Sequence, residues 1–181
     1  MIDAFHAENY GCLRHVHATL TPLHAFIGPN DSGKSTLLHG MRTVVQFAGS
    51  SFKRGERGNW LPFDHFLPVR VPGTSLTSSA TPQENGLHPA RIAEVVRLLR
   101  SIVKEKGTQV VMATHSPLVV NELDPDEVSV VTRKPDEGTK VKRIKDTPDF
   151  EERFKIYALG ELWIAYANGL DEAPLLSGTE P

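Results

Sequence analysis

An α/β fold, with buried parallel strands in a sheet flanked by helices, is what this sequence predicts, and three observations predict it. Leu23, Ala25, Phe26 and Ile27 form a short apolar run of the kind buried on both faces of a parallel sheet. A glycine-containing loop follows, and beyond it Leu37, Leu38, Met41, Val44 and Val45 recur at helical spacing up to about Phe47. A second unit repeats the theme in reverse. Pro89 opens a helix in which Ile92, Val95, Val96, Leu99, Ile102 and Val103 share one apolar face, Gly107 ends it, and Gln109 to Ala113 is again a buried-type strand.

The loop between the first strand and helix carries the chemistry. Residues Gly28, Pro29, Asn30, Asp31, Ser32, Gly33, Lys34, Ser35 and Thr36 match the phosphate-binding pattern G-x-x-x-x-G-K-[S/T] at every fixed position. Gly28 and Gly33 let the backbone curl so that its N–H groups surround anionic oxygens, where a Cβ would obstruct them. Lys34 adds a positive charge within reach of terminal phosphates, and Ser35 offers a hydroxyl to a Mg²⁺ ion bridging those phosphates. The helix that starts here turns its positive end toward them. ATP with Mg²⁺ is the expected ligand pair, and the fold expected of the chain is that of a P-loop NTPase.

The 181 residues are about the size of one domain, and 20 Lys+Arg against 22 Asp+Glu give a net charge of -2. No global basic field points to nucleic acid. The single cysteine, Cys12, excludes an internal disulfide and a cysteine metal cluster, and it reads as an inert core thiol. No apolar run approaches the length of a membrane span, so the expectation is a cytoplasmic protein with no membrane partner.

At the amino end, Ile2, Ala4 and Phe5 to Ala7 suggest a strand, Asn9-Tyr10-Gly11-Cys12-Leu13 a turn, and Val16, Ala18 and Leu20 a second strand. Lys53, Arg54 and Arg57 are interleaved with Trp60, Phe63 and Phe66, a pattern that can bind single strands but more often supplies solvated charges and core anchors. Val71 to Gln83 is rich in Pro, Ser and Thr and reads as a linker or deletion junction within a single domain spanning 1–169; 170–181 reads as a flexible tail. Val128 to Thr132 and Val141 to Ile144 form a hairpin whose Lys140, Lys142, Arg143 and Lys145 give it a basic edge. Phe150 to Tyr166 is an amphipathic helix or helix pair, broken near Gly160, with Phe154, Tyr157, Leu159, Leu162, Trp163 and Tyr166 as candidate buried residues.

Several of these pieces together resemble a known group. Asn9-Tyr10 before the GPNDSGKST loop, Glu84-Asn85-Gly86-Leu87-His88-Pro89, Thr114-His115-Ser116-Pro117 and the Leu-Gly-Glu-Leu-Trp run near residue 160 are similar to the ATPase heads of the SMC, RecF and OLD-nuclease group of ABC-type proteins. The resemblance implies a mixed sheet flanked by helices, ATP hydrolysis, and His115 as the catalytic-site group that senses the γ-phosphate. It places Tyr10 beside the nucleotide base, although the residue alone reads more readily as packing for its turn. It also implies a head-to-head homodimer or a complementing subunit, with DNA as an open partner. The sequence departs from the pattern between loop and residue 84. The strand ending in two acids, the glutamine loop and the serine-glycine signature are not evident; Thr81 and Pro82 stand roughly where the acids belong, and Gln46 falls inside a helix. Turnover is therefore in question, and the alternative is a nucleotide-binding interaction module that works through a partner.

Overall fold

The computed structural model describes residues 1–49, 89–134 and 136–167. The interleaved basic and aromatic stretch, the linker, the Glu84 to His88 motif, Thr81, Pro82 and the tail all lie outside the described residues. In order, the elements are β1 (Ala4–Tyr10), β2 (Leu13–Thr19), β3 (Leu23–Ile27), α1 (Lys34–Gly49), α2 (Pro89–Lys106), β4 (Val110–Thr114), α3 (Pro117–Asn121), β5 (Val128–Lys134), β6 (Gly138–Arg143), α4 (Phe150–Phe154) and α5 (Leu159–Ala167).

Among the described residues, four strands form a mixed sheet in the order β4-β3-β5-β6. The apolar run of β3 is parallel to both neighbours, with Ile27 opposite Thr114 on one side and Val130 on the other, while β6 returns antiparallel to β5. Every residue of β3 is buried, as a central strand covered on both faces requires. Its period of two sorts the side chains between two cores. Leu23, Ala25 and Ile27 join Ile92 and Val96 of α2, Val119 and Val120 of α3, and Leu159, Leu162 and Trp163 of α5. Phe26 points the other way, into Leu37 and Met41 of α1 and Phe5, Ala7, Leu13, Val16 and Ala18 of the antiparallel β1–β2 hairpin. The result is α/β with helices on both faces of a mixed sheet, as expected for a P-loop NTPase fold.

The β1–β2 hairpin differs from expectation at its tip. Strand β1 continues through Asn9 and Tyr10, and the turn is confined to Gly11 and Cys12. Asn9 takes a left-handed φ of 53°, a conformation that asparagine tolerates better than most residues, and Tyr10 beyond it packs on the α1 side.

The two helical segments at the far face hold one further correction. Phe154 and Tyr157 are exposed rather than buried, as is Val95 of α2, whereas Leu159, Leu162 and Trp163 are in the core. The break falls at Lys155 to Ala158, and Gly160 lies inside α5. Gly160 is there because α5 meets α3 too closely for a side chain: its N–H donates to Asn121 Oδ1 at 2.6 Å, and a Cβ would stand 2.2 Å from the Pro117 carbonyl oxygen. Gly160→Ala is therefore expected to destabilise the protein by about 1–3 kcal/mol, seen as a lower urea midpoint. On the same face, the Arg100 guanidinium of α2 binds both carboxylate oxygens of Glu127, at 2.8 and 2.7 Å, and ties the helix to the turn before β5. None of the described helices is long and apolar enough to cross a membrane.

Candidate functional site

The sheet topology brings the chemistry-bearing motifs to one edge. β3 and β4 run parallel and end level, with Ile27 opposite Thr114. Gly28 and His115 therefore leave the sheet side by side from the carboxyl ends of adjacent strands, where ligands of open α/β sheets gather. His115 is exposed and next to buried Thr114, whose Oγ1 accepts the Ser116 N–H at 3.0 Å.

The loop itself is short and tightly held. Asp31 and Gly33 have positive φ of 61° and 101°, and α1 starts at Lys34, so the free N–H groups of its first turn face the loop. Pro29, Asn30, Asp31 and Ser35 are exposed along the rim, Thr36 is half-buried, and Ser32 is buried beneath them. Lys34 folds back across the loop: Nζ donates to the Gly28 carbonyl at 2.9 Å, the Pro29 carbonyl at 2.7 Å and Ser32 Oγ at 3.3 Å. The residue is only 6 % exposed, and burial lowers its pKa to about 8, with Asp31 pulling in the opposite direction.

The glycines have two distinct reasons. At Gly28 the β5 backbone passes so close that a Cβ would lie 2.1 Å from the Val131 carbonyl oxygen. At Gly33 the positive φ excludes most side chains, and a Cβ would also meet Thr139 Oγ1 at 2.4 Å. Both glycines let the loop pack closely on β5 and β6, and the N–H groups at the start of α1 together with the Lys34 ammonium are a donor set that fits a polyphosphate.

Two residues that the motif does not include hold the loop from outside. Thr139, at the start of β6 and fully buried, donates its hydroxyl to the Ser32 carbonyl at 2.9 Å, and its N–H donates to the Cys12 carbonyl at 3.2 Å. Cys12 is half-buried beside the loop rather than within the core, and its thiol donates to Thr36 Oγ1 at 3.4 Å. Burial raises the thiol pKa, but the hydrogen bonds with Thr36 and Thr139 and the charge of Arg133 outweigh it, so the thiol sits below its ordinary value. No local pattern in the sequence marks Thr139, which lies more than a hundred residues from its partner.

Tyr10 stands further along α1. Its hydroxyl is 2.6 Å from His39 Nδ1, its ring is stacked on that imidazole at 6.3 Å between centroids, and it covers Gly40. The contacts of Tyr10 in the structure are thus with α1, one to two helical turns from Lys34.

Two family models match separate parts of the chain. One, described as "AAA ATPase domain", matches residues 1–63, which include the whole loop. The other, described as "AAA domain, putative AbiEii toxin, Type IV TA system", matches residues 84–121, which include Thr114 to Pro117. The matches support an AAA-type ATPase. Residues 64–83 fall between these two AAA matches, the same interval in which the acidic strand is not evident. No curated protein matches the chain.

Within this AAA-type frame, the structure brings Gly28 to Thr36 and His115 to one sheet edge and sets Tyr10 on the flank of α1. The frame implies nucleotide binding, usually with Mg²⁺, and Ser35 in the first turn of α1 presents its hydroxyl on the exposed rim of the loop.

Proposed function

We propose that the chain is an ATP-binding, ATP-hydrolysing head domain of the SMC, RecF and OLD-like kind. The observation that carries this reading is the loop: a complete G-x-x-x-x-G-K-S pattern, shaped by Gly28 and Gly33 and set at a helix start, one strand away from His115. On this reading Lys34 leaves the Gly28 and Pro29 carbonyls and turns to the β- and γ-phosphates. The amides from Gly33 to Thr36 receive the phosphate oxygens, and Ser35 Oγ would hold Mg²⁺, which would supply charge neutralisation at the phosphates when bound. His115 hydrogen-bonds the γ-phosphate or the attacking water, and Tyr10 lies toward the base. The head works against a second head, its own copy or a complementing subunit that supplies the missing acids. It serves DNA repair, chromosome handling or phage defence in the cytoplasm.

The test is ATP binding and phosphate release by one purified sample with Mg²⁺, beside Lys34→Ala. Loss of the ammonium removes charge-assisted hydrogen bonds of about 1.5–3 kcal/mol, so ATP affinity is expected to fall at least about tenfold and turnover to vanish. Equal turnover by Lys34→Ala would sink the ATPase reading. A second reading, an interaction module that binds nucleotide without turnover, is favoured by the sequence between the loop and residue 84, where the two acids and the serine-glycine signature are not evident. ATP binding without phosphate release selects it.

A further inference from the structure

The outer face of the β1–β2 hairpin carries a cluster that the nucleotide loop does not use. Antiparallel register sets Glu8 opposite His15 and His6 opposite His17, and all four side chains are exposed, because Phe5, Ala7, Val16 and Ala18 take the alternate positions that face α1. One carboxylate oxygen of Glu8 lies 3.2 Å from His6 Nε2 and 3.2 Å from His15 Nδ1. The three ligand atoms fall within 4.8 Å of one another. The His6 and His15 rings meet edge to face at 5.0 Å, and His17 is 6.3 Å from His6 between centroids.

We propose that His6, Glu8 and His15 form a surface binding site for a divalent first-row transition ion, with Zn²⁺ as its ordinary occupant. Bonds of 2.0–2.1 Å in a tetrahedron give ligand-to-ligand edges of about 3.3 Å, close to the two separations already present. Two imidazoles and one carboxylate suit Zn²⁺, Co²⁺, Ni²⁺ or Cu²⁺, whereas Mg²⁺ and Ca²⁺ favour oxygen donors. The strand register sets the three residues side by side on one exposed face. The fourth position is open to water, with His17 beside it as a further imidazole. An ion here would cross-link β1 and β2, which form a two-stranded sheet among the described residues, and so would stabilise the hairpin against fraying.

The test uses the full chain with any affinity tag removed, without nucleotide or Mg²⁺. Zn²⁺ is titrated calorimetrically, Co²⁺ by its visible absorption, and the thermal midpoint is recorded with and without Zn²⁺, for wild type and for a His6→Gln/His15→Gln double variant. The expected result is one equivalent bound, reversed by EDTA. A rise in midpoint should accompany it, and affinity should fall at least about tenfold in the double variant. Both substituted residues are exposed, so the variant is expected to keep the wild-type midpoint in the absence of metal. No saturable binding by wild type, or equal binding and an equal midpoint rise in the variant, overturns the proposal.

Discussion

Gly28→Ala is expected to lower stability by about 3 kcal/mol or more, as well as disabling the loop. The added Cβ would stand 2.1 Å from the Val131 carbonyl oxygen, 3.1 Å from its carbonyl carbon and 2.9 Å from Ser32 Oγ. The first two are backbone atoms of β5, and β5 cannot retreat without breaking its parallel pairing to β3, in which Ile27 faces Val130. Relief must come from separating two central strands whose side chains fill both cores. Gly107→Ala is the control. Gly107, unlike Gly28, has a positive φ, 57°, but a Cβ there meets nothing within 4 Å, so its cost is the conformational one of about 1–2 kcal/mol. Urea unfolding of the two variants should therefore separate steric collision from backbone preference. A Gly28→Ala midpoint equal to that of the wild type would show that β5 yields at no cost.

Acid is expected to weaken the fold through a single buried imidazole. His24 is fully buried in β3; its Nδ1 accepts the Thr21 N–H at 3.4 Å, which leaves Nε2 to donate to Ser129 Oγ of β5 at 3.0 Å. Phe26 meets its ring edge to face at 5.0 Å. Burial, joined by the positive charge of Arg143 on β6, lowers its pKa from 6.5 to about 4. The unfolded chain therefore binds this proton between pH 6.5 and 4 while the folded chain does not. Stability from neutral His24 is complete above about pH 6.5 and is lost progressively as pH falls through that window. The full shift corresponds to roughly 3 kcal/mol below pH 4. Urea midpoints measured from pH 7.5 to 4 should fall along this course in the wild type. A His24→Leu variant, less stable at neutral pH because Ser129 loses its partner, should show a flatter profile over the same range. Parallel profiles would assign the acid sensitivity to other groups.

How much of this was legible from residues alone depended on the range of the interaction concerned. The loop was legible because its demands are local: two glycines, a lysine and a serine at fixed spacing specify the nest, the charge and the helix start together. β3, α1, α2 and β4 were legible because each is buried along a face whose period appears in the sequence. Apolar periodicity reports what could be buried but not what is there to cover it, and so Val95, Phe154 and Tyr157 were expected inside and stand exposed. Gly160 reads as a breaker from sequence because close approach of α3 is a tertiary fact with no local trace. Thr139 is the plainest case. A threonine after a glycine at the start of a strand has no signature, and its role exists only once β6 lies against the loop. Asn9 was marked by resemblance, but its left-handed backbone, beyond which Tyr10 packs on α1, is a property of conformation rather than of pattern.

The anchoring of the loop by Thr139 has a consequence for the order in which the molecule can be built. Residues 28–36 are a contiguous segment, yet their shape is held by Cys12 before them and by Thr139 at a separation of 107 residues from Ser32. Closing so long a segment is entropically expensive until the β5–β6 hairpin has docked, so the loop acquires its final geometry late in folding. During synthesis an emerging chain that has released α1 but not β6 already displays the entire motif and does not yet possess the site.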